Sequence, residues 1–149
     1  MTPEFDRDRE AALADAQAAR AELLSRVGGL SDANLAVGRR GSWTVSGVLR
    51  HVIDADWGHG RGIASLREVE PPARAIAEQD EGPGTVEQAL ALLTVSGQRL
   101  FGIVAGVDEE AFYRLRKLGG QEWSVLSFLE GSADHDREHA AQIEALLGR

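Results

Sequence analysis

Cysteine is absent from this chain of 149 residues. Neither a disulfide framework nor a cysteine nucleophile can therefore be built, and any thiol chemistry would need a thiol supplied from outside. Long apolar runs are also missing, since none reaches the roughly 18 residues of a membrane span. The N-terminal stretch MTPEFDRDRE is charged and lacks the apolar segment of a secretory signal. We expect a cytoplasmic protein without a membrane partner.

Clusters of basic residues are lacking as well. The chain has 16 basic residues against 24 acidic ones, which gives a formal net charge of -8. Because nucleic acids and anionic membranes attract basic patches, this balance argues against either as the main partner. An acid-rich, solvated surface is the simpler interpretation. The length suffices for a hydrophobic core, and we predict a single domain over residues 1–149.

Alternating strand patterns are missing too, whereas helical periodicity occurs in four long stretches. Residues 68–84, EVEPPARAIAEQDEGPG, contain three of the four prolines and many charges. This composition predicts a long crossing loop between the second and third helices. The pattern predicts an all-α protein with helices at about residues 3–27, 44–66, 85–105 and 124–147, which start at the cap residues Thr2, Thr44, Thr85 and Ser124.

The two halves of the chain resemble each other. The stretch GSWTVSGVLRHVIDAD aligns with QEWSVLSFLEGSADHD, which pairs Trp43 with Trp123 and Asp56 with Asp136. This similarity predicts a duplicated helix–loop–helix unit. In each copy the tryptophan comes just before the helix cap, where it can pack on the apolar residue at the fourth helical position as a hydrophobic staple. We therefore interpret both tryptophans as structural.

Histidine is scarce, yet two of the four histidines, His135 and His139, lie four residues apart in HDREHAAQIEALL. On a helix this spacing puts both imidazoles on one face, and both fall within the apolar stripe of the fourth helix. A third ligand from another helix would complete the open site that is typical of catalytic metals. The second helix offers His51 at the edge of its apolar stripe and His59 nearer the middle. From the residues alone, ordinary core or surface histidines explain the pattern as well as metal ligands do.

Two stretches, SWTVSGVLRHVIDADW and EWSVLSFLEGSADHDREHAAQI, resemble the DinB/YfiT-like family, also called the damage-inducible DinB-like metalloenzymes. The resemblance covers nearly the whole chain, and its specific parts are the Trp-Ser/Thr-Val helix start, a histidine shortly after it, and the terminal His-x-x-x-His. It implies a four-helix bundle made of two helix–loop–helix halves. It also implies a divalent metal held by His51, His135 and His139. Zinc is the default ion, although nickel, iron and manganese also accept imidazole ligands.

Neighbouring polar residues have less specific interpretations. His59 matches no ligand position of the family and is better interpreted as a core or pocket histidine. Asp56 and Asp136 fall within apolar stripes, so they could orient the ligand imidazoles as hydrogen-bond acceptors. Pairing with arginine or capping of loops explains them equally well. Glu138 points away from the two histidines by about 100° and should be solvated, so HDREH is not the H-E-x-x-H motif of a metalloprotease.

The resemblance implies a metal-dependent enzyme that activates a low-molecular-weight thiol or water for transfer to a small electrophilic substrate. The missing cysteine is compatible with this, because the nucleophile would belong to the cosubstrate. Metal-dependent hydrolysis of a small molecule is the enzymatic alternative. A non-catalytic metal-binding protein of the stress response is the alternative from a different class. The resemblance further implies a homodimer that pairs through bundle faces.

Overall fold

The computed structural model describes residues 1–67 and 82–149, and helices dominate them. The predicted all-α class is confirmed, and the predicted bounds of the four long helices agree with the structure to within one residue. The predicted crossing loop lies almost entirely outside the described residues. The helices are α1 (Pro3–Gly28), a short 3-10 helix (Asp32–Ala36), α2 (Val45–Leu66), α3 (Val86–Ala105), α4 (Glu109–Tyr113) and α5 (Val125–Leu146).

Each long helix begins at the cap residue that the sequence predicts. The first turn of a helix leaves backbone N–H groups without a partner inside the helix, and a cap side chain accepts a hydrogen bond from one of them. Such a bond fixes where the helix starts. The capping side chains and the backbone N–H groups that donate to them are Thr2 and Phe5, Thr44 and Gly47, Thr85 and Gln88, and Ser124 and Ser127.

The four long helices form a bundle in which α1 packs against α3 and α5, and α2 packs against the same two helices. The buried apolar side chains divide into two clusters along the bundle. One cluster is built around Leu23, Leu49 and Ile143, and the other around Phe5, Leu100 and Leu129. Buried polar residues lie at or near the boundary between the two clusters on α1, α2, α3 and α5: Arg20, Asp56, Ser96 and Asp136.

Among the described residues, α3 is the one helix whose length and composition would allow it to cross a membrane. It packs against α1 and α2 inside the bundle. Core helices of bundles have the same apolar composition, so packing accounts for the character of α3.

A small β-hairpin, which the sequence patterns do not predict, lies between α4 and α5. The strands β1 (Arg116–Leu118) and β2 (Gln121–Trp123) pair antiparallel. Gly119 and Gly120 join them with φ values of 60° and 83°, which a two-residue hairpin turn requires and which glycine adopts without strain. Strands of three residues are too short to show alternation, and the Gly-Gly pair is the signal that predicts the turn.

Candidate metal centre

Three histidine side chains from two helices converge in the bundle. His51 comes from α2, whereas His135 and His139 come from α5. Nε2 of His135 lies 2.9 Å from Nε2 of His51 and 3.0 Å from Nε2 of His139. One ring nitrogen of each residue lies within 4.8 Å of those of the other two. Because imidazole nitrogens that share one zinc ion stand about 3.4 Å apart in a tetrahedral site, the three side chains fit a divalent ion.

The surroundings lower the pKa of His51 and His135 and so favour the neutral form of imidazole, which is the form that binds a metal. Burial, and next the neighbouring His139 and His51, lower the pKa of His135 to about 4. Burial also lowers the pKa of His51, and His139 adds to this effect while Asp54 opposes it. The contacts of 2.9 and 3.0 Å between Nε2 atoms have hydrogen-bond length, so an N–H of one imidazole can donate to the lone pair of its neighbour. A divalent cation would replace the protons in these contacts and bind the nitrogen lone pairs.

Gln142 fixes the orientation of one imidazole, and the sequence reasoning missed it. Nδ1–H of His139 donates a hydrogen bond to Oε1 of Gln142 over 2.7 Å. Because the proton is then on Nδ1, the lone pair of Nε2 is free for a metal. The available signal was the spacing, since Gln142 follows His139 by three residues and lies on the same face of α5. The sequence indicates the carboxylates of Asp56 and Asp136, rather than an amide, as the acceptors that could orient the imidazoles.

A buried ion-pair network lies beside the histidines and joins all four long helices. Arg20 of α1 donates to Asp136 from Nε over 2.7 Å and to Asp56 from Nη2 over 2.8 Å. Its Nη1 donates to Asp56 over 2.9 Å and to the backbone carbonyl of Leu93 on α3 over 2.8 Å. The hydroxyl of Ser96 donates a further hydrogen bond to Asp56. Two carboxylates thus share one guanidinium in the interior.

Asp56 and Asp136 therefore pair with arginine, which was one of the three interpretations left open. Within the described residues, neither carboxylate accepts a hydrogen bond from an imidazole. Burial alone would lower the pKa of Arg20, but the hydrogen bonds and charges of the two aspartates outweigh it and raise that pKa. Burial raises the pKa of Asp136 against the opposing effect of Arg20. The sequence signal for Arg20 was a charged residue on the apolar face of α1, between Ala19 and Leu23.

His59 lies next to the three histidines without joining them. Its ring centroid is 6.1 Å from that of His135 and 5.8 Å from that of Phe128. Its buried Nδ1 has no hydrogen-bond partner within the described residues, and burial lowers its pKa. His59 is not one of the three histidines whose ring nitrogens converge. Glu138, between the two histidines of α5, is exposed as predicted.

An open pocket of about 410 Å³ borders His51. Trp43 forms part of its wall, with its ring centroid 4.7 Å from that of His51 and the two planes 37° apart. The indole is 48% exposed, so it is not the buried staple that the sequence predicts. Trp123 is such a staple, because its ring stacks on Phe128 at 4.7 Å. The pocket is lined by Ser42, Trp43, Thr44, Gly47, Arg50, His51 and Asp54.

Comparison with known proteins gives a match at the level of the family. The family model described as the DinB superfamily matches residues 7–143. Searches of curated proteins and of solved structures found no match. The matched region includes the three histidines, Gln142 and Arg20 with its two aspartates. The match thus extends over the bundle as a whole.

Proposed function

Because the chain belongs to the DinB superfamily, we propose that it is a metal-dependent enzyme whose divalent ion is held by His51, His135 and His139. The supporting observation is the convergence of their ring nitrogens, with two contacts of 2.9 and 3.0 Å between Nε2 atoms. Zinc is the ion that we propose first, since imidazole nitrogen suits it well. Nickel, iron and manganese are the other candidates.

The proposed reaction is the transfer of a low-molecular-weight thiol, or of water, to a small electrophilic substrate. A divalent ion held by neutral ligands lowers the pKa of a thiol or of water and can polarise a carbonyl group. The chain supplies the remaining parts of the site. Gln142 holds the imidazole of His139 in its metal-binding tautomer, and the pocket beside His51 has room for a small molecule. Since the chain has no cysteine, the sulfur would come from a cosubstrate.

The test begins with metal binding. Protein stripped with a chelator is titrated with zinc by calorimetry, and we expect a single ion per chain. The zinc-loaded protein is then mixed with a chromogenic aryl halide in the presence or absence of cysteine as the thiol. We expect turnover that needs both zinc and thiol and that His135→Ala abolishes. Turnover without thiol would favour a hydrolase instead, and zinc binding without any turnover across thiols and esters would favour a non-catalytic metal-binding protein.

A further inference from the structure

Trp43 occupies an unusual position for a large apolar side chain. It is 48% exposed and borders the pocket next to a candidate metal ligand. Indole is costly to leave in water, and exposed aromatic rings at the wall of a pocket are typical of ligand-binding surfaces. One part of the ring lies against His51, at 4.7 Å between centroids. The remaining exposed part is available to a small molecule in the pocket that borders His51.

The backbone near the start of α2 makes room for this ring. Gly47 lies so close to Trp43 that a Cβ added there would stand 3.2 Å from Cβ and 3.4 Å from Cγ of the tryptophan. The corresponding residue at the start of α5 is Ser127, whose hydroxyl accepts a hydrogen bond from the backbone of Ser124 in a capping box. Glycine cannot make that bond. The start of α2 therefore lacks one stabilising hydrogen bond that the start of α5 has. The indole of Trp43 lies against the first turn of α2 instead.

The charged residues of the pocket wall balance each other. Arg50 and Asp54 lie one helical turn apart on α2, with 3.6 Å between Nε and a carboxylate oxygen. The lining residues thus carry one positive and one negative charge. An ion at the three histidines would add positive charge at that end of the pocket. The indole of Trp43 would offer an uncharged aromatic surface beside it.

We propose that Trp43 determines specificity by stacking on a flat, apolar group of a small molecule whose anionic head group binds the ion proposed at His51, His135 and His139. This inference rests on the proposed metal site. Aromatic pairs gain about twofold to tenfold in affinity beyond the burial of area alone. The ligand class is therefore an anionic metal-binding group attached to an aromatic ring or a similar planar body.

The test compares two hydroxamates that share a metal-binding head group. Affinities of benzohydroxamate and acetohydroxamate are measured by calorimetry on zinc-saturated protein. We expect wild-type protein to prefer benzohydroxamate, and Trp43→Ala to reduce that preference by about twofold to tenfold. Trp43→Phe should retain most of it. Because Trp43 touches His51, the ratio of the two affinities is compared, so that any shared change at the metal cancels.

Trp123→Ala is the matched control, because Trp123 occupies the equivalent position at the start of α5 and stacks on Phe128. We expect it to leave the preference unchanged. The inference is overturned if Trp43→Ala keeps the wild-type ratio, or if it weakens both hydroxamates in equal proportion, because the indole would then only support His51. Failure of wild-type protein to bind zinc would overturn the proposed function and this inference together, whereas normal zinc binding with an unchanged ratio would overturn this inference alone.

Discussion

The helices that carry the histidines, α2 and α5, begin alike and then use their tryptophans differently. Both start with tryptophan, a hydroxyl cap and valine. At the start of α5, Trp123 stacks on Phe128 at the fourth helical position. At the start of α2 that position is Val48, and Trp43 lies half exposed against His51. The same tryptophan position thus packs on an aromatic ring at the start of α5 and borders the pocket at the start of α2.

The difference continues further along the two helices. With Trp43 aligned on Trp123, His51 corresponds to Gly131 and His135 to Ala55, whereas His59 corresponds to His139. Asp56 and Asp136 also correspond, and they bind the same guanidinium from two neighbouring helices, α2 and α5. The buried aspartates thus occupy equivalent positions in the two aligned stretches, whereas the three converging histidines do not. One half of the duplicated pattern supplies two of the converging histidines and the other half supplies one.

Removal of single histidines should give the largest difference between the two helices, measured as zinc affinity. We expect His51→Ala, His135→Ala and His139→Ala each to weaken zinc binding by orders of magnitude, because an open site with three protein ligands has none to spare. His59→Ala should leave the stoichiometry intact, although His59 is the counterpart of His139. Calorimetric titration of the four variants with zinc decides this. Loss of binding in His59→Ala with retention in His51→Ala would refute the ligand assignment.

Removal of the shared guanidinium should have the next largest effect. Arg20→Met leaves Asp56 and Asp136 buried without their cation, and we expect a loss of about 3–5 kcal/mol in the free energy of unfolding. The control is Arg137→Met, which breaks an exposed pair with Asp15 and should cost no more than about 1 kcal/mol. Urea denaturation measures both. Equal losses in the two variants would show that the buried network contributes no more to the free energy of unfolding than an exposed ion pair does.

The partner of His139 allows a finer test. We expect Gln142→Ala to weaken zinc binding by about 10-fold to 100-fold, because the imidazole loses the hydrogen bond that fixes its tautomer and orientation. The control is Glu130→Ala, since Glu130 is exposed on the same helix and should leave the affinity unchanged. Both variants are titrated with zinc under the same conditions. An affinity in Gln142→Ala that equals the wild-type value would mean that packing alone orients His139.

The smallest effect is expected from pH on the metal-free protein. Burial lowers the pKa of His51, His59 and His135 in the folded state, and that of His135 falls to about 4. An unfolded imidazole titrates near 6.5, so below about pH 6.5 the unfolded chain binds protons that the folded protein does not. The free energy of unfolding should therefore decrease from about pH 7 to about pH 5. Urea denaturation of chelator-treated protein measures this decrease.

The variant His135→Ala provides the control for this pH dependence. It removes the histidine with the most strongly lowered pKa, so its stability should decrease less steeply over the same range. A stability of the wild-type protein that stays constant or rises toward about pH 5 would contradict the neutral, buried state of the histidines.

Local signals in the sequence were enough to predict the helices and the histidine pair. Caps and periodicity gave the bounds of the long helices, because these depend on neighbouring residues along the chain. The third histidine needed the resemblance to the family, since periodicity alone prefers His59 to His51 as the more inward residue. The role of Arg20 depends on residues from three other helices, and the contact of Trp43 with His51 depends on how the side chains are placed in three dimensions. Neither can be derived from spacing along one helix.

The position of the Arg20 network has a consequence for folding. It lies where the two apolar clusters meet, and it needs a donor or acceptor from each of the four long helices. If one helix slid by a turn, about 5.4 Å, charged groups would be left in the interior without partners. Each cluster can therefore open only if the ion pairs and hydrogen bonds of the Arg20 network break. The two ends of the bundle should unfold as one cooperative unit, with backbone amides on both sides of Arg20 exchanging their hydrogens through the same global event.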